Sequence, residues 1–287
     1  MKKNIETGNR KQETRMGSWF FLLLASCLLL PSSSCTAQNK SKLVLNENND
    51  SYKIAVAAPQ IGPYKALGLS IINGAELAVD IKNNEGGING KKITLIKVDD
   101  GGLSGEGTWR ARNLAEQMVL RVIGHLNSDI SIPASEIYSK AKIAEITPGS
   151  TSPFFTEREP VRGYVFRTIG RDDNQGKLAA DYVLKNGFKR VAILFNEREY
   201  GRSLAGEFAR ALKDSKSSMA SVVYYNMIQE DKNDYGTLLA ELSLIKPDIV
   251  FQAGEYNDAG NILKDFPKYG LEKTQFIGGD GIYHTDF

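Results

Sequence analysis

The chain has 287 residues, of which 41% are hydrophobic and 24% charged, and these values are typical of a folded globular protein with one or two domains. Its 36 Lys and Arg residues nearly balance 34 Asp and Glu residues, giving a formal charge of +2. A charge this close to zero creates no strong field for nucleic acid or an acidic membrane surface, so we expect neither as a partner.

The N-terminal segment, residues 1–35, has the three regions of a secretory signal. Basic residues up to Arg15 precede an apolar run over residues 19–30, and Pro31 and three serines then lead to Cys35. The apolar run is shorter than the roughly 20 residues that a membrane-spanning helix needs. The pattern therefore predicts export.

Two cysteines are alternative sites of lipid attachment, since each resembles the acylated cysteine of a bacterial lipoprotein. Cys35 follows the whole apolar run and is our prediction. Cys27 ends the sequence Leu24-Ala25-Ser26-Cys27, which is closer to the usual local motif, but cleavage there leaves three leucines outside the signal. Cleavage near Ala37 without a lipid is the third alternative.

The polar segment over residues 36–51 is rich in Asn, Lys and Ser and is predicted to be a flexible tether. A lipid on either cysteine is then the expected membrane contact of an exported protein, periplasmic or at the cell surface. No cysteine follows residue 35, so no disulfide is expected in the body of the protein.

From residue 52 onward, short β-rich runs alternate with longer segments of helical spacing, which predicts βαβ units around parallel sheets. A first lobe, residues 52–168, is predicted to contain five strands and three intervening helices. The strands are expected over 52–58, 92–98, up to 124, over 143–146 and over 164–168, and the helices up to 84, over 108–118 and over 132–142.

A second lobe, residues 169–287, repeats this rhythm. Its first helix is predicted to begin at Asp172, with Leu178, Ala179, Tyr182 and Val183 on its apolar side. Strands are predicted over 190–195, 222–225, 249–253 and 275–278, and helices around 204–212, over 235–245 and over 259–269. The predicted fold is α/β with two doubly wound parallel-sheet lobes, and we expect a C-terminal part to be missing.

Residues for catalysis or metal binding are few. His125 and His284 are the only histidines, so we expect no metal site, no cofactor and no enzymatic activity. The pair Asp99-Asp100 follows a predicted strand and leaves open an exported hydrolase with two carboxylates. Polar residues are common at such strand ends, however, and they more often face solvent than catalyse a reaction.

A series of short motifs, each weak alone, resembles the leucine/isoleucine/valine-binding family of type I periplasmic binding proteins, also called the receptor-ligand-binding family. They occur in the family's order between residues 52 and 281. The motifs are Asn73-Gly74-Ala75-Glu76, Gly86-Gly87-Ile88-Asn89-Gly90, Gly124-His125-Leu126-Asn127-Ser128, Thr147-Pro148-Gly149-Ser150-Thr151, Asp172-Asp173-Asn174-Gln175-Gly176, Tyr200-Gly201 and Gly278-Gly279-Asp280-Gly281. The resemblance implies two lobes, joined by three crossovers, that close over a small ligand.

In the first lobe, the resemblance implies that Ser128, Gly149, Ser150 and Thr151 bind the ligand's carboxylate. Ser128 precedes a helix predicted to begin near residue 132, where a hydroxyl and free backbone N–H groups favour an anion. A helix cap at Ser128, and a simple turn at the other three residues, are the alternatives.

In the second lobe, the resemblance implies that Tyr200 covers the ligand and that Asp280 pairs with its ammonium group. Glu255 stands where some relatives carry an aromatic residue and adds a second anion on this side. A loop tyrosine, a turn aspartate and a solvated glutamate are the respective alternatives. Leu67 is either part of an apolar pocket wall or packs on its own helix.

The implied function is capture of an amino acid, branched-chain-like or related, for the membrane permease subunits of an ABC importer. A sensory or regulatory module for an amide, urea or a cell-wall fragment is the alternative on the same scaffold. An exported hydrolase and a purely structural lipoprotein are further alternatives, and the latter predicts that no solute binds.

Overall fold

The computed structural model describes residues 51–215 and 220–285. The first lobe contains a five-stranded sheet formed by β1 (Ser51–Ala58), β2 (Lys92–Asp99), β3 (Arg121–Gly124), β4 (Ala144–Thr147) and β5 (Val165–Arg167). Its helices are α1 (Lys65–Asn84), α2 (Ser104–Glu116), α3 (Ser128–Lys140) and the short α4 (Phe154–Glu157).

The strands of the first sheet are all parallel and follow the order β2-β1-β3-β4-β5. The last four residues of β1 are completely buried, because helices cover both faces of the sheet. The chain runs outward from β1 in one direction to β2 and in the other to β3, so polar loops diverge at the carboxyl end of β1. Open α/β sheets bind ligands at such a switch point.

The second lobe repeats the arrangement with four parallel strands in the order β7-β6-β8-β9. The strands are β6 (Arg190–Asn196), β7 (Ser221–Ile228), β8 (Ile249–Ala253) and β9 (Gln275–Gly278). The helices are α5 (Asp172–Lys185), α6 (Glu199–Asp214), α7 (Gly236–Ile245) and α8 (Tyr256–Leu263). Separate hydrophobic clusters pack on the two faces of this sheet, and each is built from alternate residues of β6 and β8.

The predicted fold class, two lobes with doubly wound parallel sheets, is confirmed by these strand orders. Helix starts were predicted less well. Helix α2 begins at Ser104 rather than near residue 108, and α3 begins at Ser128 rather than near residue 132. The segment 259–269, predicted as one helix, is divided into α8 and the 3-10 turn Phe266–Tyr269.

The predicted apolar side of α5 is wrong in part. Leu178 and Tyr182 are 70% and 42% exposed, whereas Val183 is fully buried. The buried stripe runs through Gly176, because a Cβ atom there would lie 2.6 Å from the backbone nitrogen of Phe208. Close contact between the backbones of α5 and α6 therefore places the small residues of α5 against α6 and leaves its bulkier apolar side chains exposed.

No helix among residues 51–215 and 220–285 is long and apolar enough to cross a membrane. The predicted signal segment with Cys27 and Cys35, and residues 36–50 of the predicted tether, lie outside the described residues. Ser51, the last residue of the predicted tether, is instead the first residue of β1. The predicted boundaries at residues 51 and 168 remain predictions.

Candidate ligand-binding cleft

A cavity of about 330 Å³ lies between the two lobes, at the carboxyl ends of their strands. This volume falls in the range of small-molecule sites. The first lobe contributes Tyr64, Leu67, Ser70, Ile71, Leu126, Asn127, Ser128, Pro148 and Gly149 to its lining, and the remainder consists of Ile169, Tyr200, Glu255, Asp280, Gly281 and Tyr283. The structure thus brings Ser128, Gly149, Tyr200, Glu255 and Asp280 to one cavity, and Leu67 forms part of its wall.

The N-terminus of α3 forms the polar part of the first-lobe wall. Ser128 is the first residue of the helix and is 2% exposed, and its Oγ accepts a hydrogen bond of 3.4 Å from Ser152 N. Asn127, at the N-cap position, lies on the wall with its Oδ1 buried and without a hydrogen-bond partner. Unpaired N–H groups at a helix start favour an anion, so this wall can hold a carboxylate.

Ser150 and Thr151 are not part of the cavity lining. Ser150 is fully buried, and its hydroxyl lies 2.5 Å from Ser131 Oγ and donates to the carbonyl of Leu126 over 3.2 Å. Thr151 is 1% exposed and its hydroxyl faces the buried carboxyl group of Asp172. These two side chains support the loop behind Gly149, which explains their polar character without a ligand contact.

A buried polar network carries the loop that leads into α3. His125 Nδ1 lies 2.6 Å from Asp100 Oδ2, and both side chains are inaccessible to solvent. On its other side His125 Nε2 lies 3.2 Å from the hydroxyl of Tyr138, and Glu145 accepts a hydrogen bond from His125 N over 3.3 Å. Burial raises the pKa of the Glu145 carboxyl well above its ordinary value. The network fixes the turn from which Ser128 reaches the cleft.

The two carboxylates considered for hydrolysis have structural partners instead. Asp100 also accepts a hydrogen bond from Gly102 N over 3.0 Å. Asp99 Oδ1 accepts from the backbone nitrogens of Gln60 and Gly101, at 2.8 and 2.9 Å. Neither carboxylate lines the cavity. Within the part of the chain that the structure describes, no group of three or more His, Cys, Asp or Glu side chains is placed to hold a metal ion.

Tyr200 and Asp280 form the second-lobe wall together. Tyr200, in the first turn of α6, donates a hydrogen bond of 2.9 Å to Asp280 Oδ1 and accepts one of 2.9 Å from Gly281 N. A Cβ atom on Gly281 would lie 2.9 Å from the Tyr200 hydroxyl, so glycine is needed for this close approach. Burial and then the charge of Asp280 raise the pKa of Tyr200 well above its ordinary value, which keeps the phenol protonated.

Glu255 lies on the cavity wall at the N-cap position of α8. Among the described residues, no side chain donates a hydrogen bond to its carboxylate or forms an ion pair with it. Burial, followed by the negative charges of Glu230 and Asp280, raises the pKa of Glu255 to about 8. In this environment the protonated form of the Glu255 carboxyl group is favoured at pH 7.

Side chains that were not predicted from the sequence connect the lobes across the cleft. The Tyr64 hydroxyl donates a hydrogen bond of 2.8 Å to Glu230 Oε1, and Ser152 donates one of 3.1 Å to Glu199 Oε1. Arg198 donates to the carbonyl of Gly102 over 3.0 Å. Its side chain also forms ion pairs with Asp129 in the first lobe, at 3.3 Å, and with Glu230 in the second, at 2.8 Å.

Two sheet lobes with a ligand-sized cavity between the carboxyl ends of their strands define a two-lobed binding protein. Residues 51–287 match the model of the periplasmic binding protein family, and the chain belongs to that family. The resemblance of the sequence motifs is thereby confirmed.

Curated relatives carry the name Leu/Ile/Val-binding protein. The homolog 1 of Brucella suis biovar 1 is 36% identical over 237 residues, covering 81% of this chain and 62% of the relative. The Leu/Ile/Val-binding protein of Escherichia coli K12 is 36% identical over 254 residues, covering 87% of this chain and 66% of that protein. The chain thus spans less than two thirds of the length of these relatives.

Solved structures show the same fold. The branched-chain amino acid transporter substrate binding protein LivJ from Streptococcus pneumoniae, in complex with isoleucine, superposes with a TM-score of 0.70 at 28% identity. The match covers 80% of this chain and 64% of the other. An ABC transporter substrate-binding protein from Desulfitobacterium hafniense in complex with Leu gives a TM-score of 0.62 at 29% identity, covering 79% and 66%.

Proposed function

We propose that this chain is the ligand-binding part of an extracytoplasmic solute-binding protein that captures an amino acid for an ABC importer. The observation that carries the proposal is the placement of Ser128 and Asp280 on opposite walls of one cavity. An amino acid presents a carboxylate and an ammonium group, and a dry cleft must satisfy both. The N-terminus of α3 suits the carboxylate, and Asp280 suits the ammonium group.

The contacts across the cleft support capture by closure of the lobes. Arg198 and Tyr64 make hydrogen bonds between the lobes that exist only when the cleft is narrow. A ligand that bridges the two walls adds to these contacts and shifts the equilibrium toward the closed form. Binding requires no reaction, and the hydrogen bonds that Asp99 and Asp100 accept from backbone N–H groups support a role without catalysis.

The relatives support the transport role. Two of the matched proteins are a branched-chain amino acid transporter binding protein in complex with isoleucine and an ABC transporter binding protein in complex with Leu. We propose the membrane permease subunits of an ABC importer as the protein partner. The protein is proposed to be exported and to be held at a membrane by a lipid on Cys35, with Cys27 as the alternative site.

A thermal-shift screen of the full-length protein against the L-amino acids, simple amides and urea tests the function. A ligand at about 100 times its dissociation constant stabilises a protein by about 2.7 kcal/mol, a shift that is easily measured. We expect at least one L-amino acid to raise the melting temperature at millimolar concentration. Stabilisation by an amide or urea alone would contradict the amino-acid assignment, and no response to any of the ligands would contradict solute capture.

A further inference from the structure

Among the residues that the structure describes, acidic side chains line the cavity and basic ones do not. Glu255 and Asp280 both line it, and among the described lining residues there is no Lys, Arg or His. The N-terminus of α3 lies on the first-lobe wall, where it can stabilise a ligand carboxylate but does not neutralise Glu255 or Asp280. A ligand with a single ammonium group can pair it with only one of these two acids, which leaves the other without a cationic partner.

The acidic character extends beyond the cavity at this end. A small adjoining void of about 10 Å³ shares Tyr64, Leu67 and Glu255 with the main cavity. Its other charged lining residues are all acidic, namely Glu230, Asp231 and Asp258. Arg198, a cation whose charge acts on Glu255, already forms ion pairs with Asp129 and Glu230. The second-lobe end of the cleft is thus poorly neutralised.

The side chains between the two ends of the cavity are apolar. Leu67, Ile71 and Ile169 line it together with the ring of Tyr64. This surface suits the methylene groups of an extended aliphatic side chain.

Glu255 distinguishes this cleft most clearly. The ionised form of Glu255 is disfavoured while it has no cationic partner, whereas the same carboxylate paired with a cation is stable. Asp280 is held by the Tyr200 hydroxyl, but Glu255 has no hydrogen bond from a side chain of the described residues. A cationic group from the ligand is the missing partner that the geometry allows.

We propose that the cleft selects an amino acid with a positively charged side chain, with Asp280 pairing the α-ammonium group and Glu255 pairing the side-chain cation. This inference rests on the proposed capture of amino acids in the same cleft. It differs from the ligands named for the relatives, Leu and isoleucine, whose side chains carry no charge.

Isothermal titration of the full-length protein with L-lysine, L-ornithine, L-arginine, L-leucine and L-glutamine tests the selection. We expect at least one basic amino acid to bind about tenfold more tightly than leucine or glutamine. In Glu255→Gln, this advantage falls by about tenfold or more, while leucine binds as well as before or better. Glu272→Gln removes an exposed carboxylate of the second lobe that does not line the cavity, and this charge-matched control retains the preference.

The result separates this inference from the proposed function. Tighter binding of leucine or glutamine, with no change of preference in Glu255→Gln, overturns the cationic ligand and leaves amino-acid capture in place. Failure of every L-amino acid to bind overturns the function as well.

Proton release provides a second readout that needs no variant. In the free protein Glu255, with a pKa of about 8, is mostly protonated at pH 7, and a cation beside it favours the ionised form. The charged and titratable groups around it that also enter this balance are Tyr64, Arg198, Tyr200, Glu230, Asp258 and Asp280. Titrations in buffers of different ionisation enthalpy are expected to show release of close to one proton for each basic ligand bound. Binding without proton release at pH 7 overturns the pairing.

Discussion

The hydroxyl of Tyr200 lies 2.9 Å from Asp280 Oδ1 and donates a hydrogen bond to it. The backbone nitrogen of Asp280 in turn donates to Gln175 Oε1, also over 2.9 Å. The carboxylate is therefore oriented by α5 and α6 before any ligand arrives. Such preorganisation lowers the entropic cost of binding, so Tyr200 and Asp280 are expected to contribute strongly to affinity.

Asp280→Asn is expected to weaken amino-acid binding by about tenfold or more, since the anionic partner proposed for the ligand's ammonium group is removed. Tyr200→Phe removes only the orienting hydrogen bond and is expected to cost about five- to tenfold. Isothermal titration gives both values, and circular dichroism confirms that each variant is folded. Unchanged affinity in Asp280→Asn would contradict the ammonium assignment.

Arg198→Ala is expected to weaken ligand binding about tenfold, although Arg198 does not line the cavity. The variant loses the contacts to Gly102 and Asp129 that hold the first lobe, so the closed form becomes less populated and the apparent affinity falls in proportion. Arg198→Lys keeps the charge but not the forked geometry of the guanidinium group. Its ligand affinity is expected to lie between those of Arg198→Ala and the unaltered protein. Binding titrations measure the affinity of each variant, and small-angle scattering measures how compact each liganded variant is. Affinity and compactness equal to the unaltered protein would show that this contact does not hold the lobes together.

The order of strands and helices was predictable because alternating β-rich and helical segments dictate parallel sheets, and β8 and β9 were predicted to the residue. Helix starts were missed where polar residues occupy the first turn. Ser128, Asp129 and Ser131 give no apolar period, yet they form the start of α3 because Ser128 and Ser131 are buried in the polar network behind the cleft.

The site was predictable only for residues whose position follows from a strand end. Tyr200, Glu255 and Asp280 each follow a second-lobe strand, and they meet at one edge of the sheet. Tyr64, Arg198 and Glu230 could not be paired from sequence, because their contacts depend on how closely the lobes approach each other. Polar residues just after β1, β6 and β7 were the available signal for them.

Asp172 makes the stability of the protein depend on pH. Burial raises its pKa to about 7, although the hydroxyls of Ser203 and Thr151 oppose the shift. Because this value lies above the ordinary pKa of about 3.9 in an unfolded chain, the folded protein binds more protons, and stability falls as the pH rises from about 4 to about 7. Asp172→Asn is expected to reduce the loss of unfolding free energy between pH 5 and pH 8 by about 1–3 kcal/mol. Urea denaturation at pH 5 and pH 8 measures the unfolding free energy of the variant and of the unaltered protein. Equal losses in the two proteins would show that Asp172 does not cause the pH dependence.

Asp100→Ala is expected to destabilise the protein by about 3–5 kcal/mol, because it leaves His125 without its buried partner. Asp99→Ala provides the control and is expected to cost less, since Asp99 is only partly buried and accepts backbone N–H groups in a loop. Urea midpoints compare the two variants. A stable Asp100→Ala protein that loses a hydrolytic activity would contradict the structural role and favour catalysis.

The most direct test of the account is a crystal structure of the full-length protein with its amino-acid ligand. We expect one ligand between the lobes, with its carboxylate within hydrogen-bond distance of Ser128 and the N-terminus of α3, and its α-ammonium group within about 3.2 Å of Asp280. A ligand bound outside this cavity, or inside it with its carboxylate facing Asp280, would contradict the account.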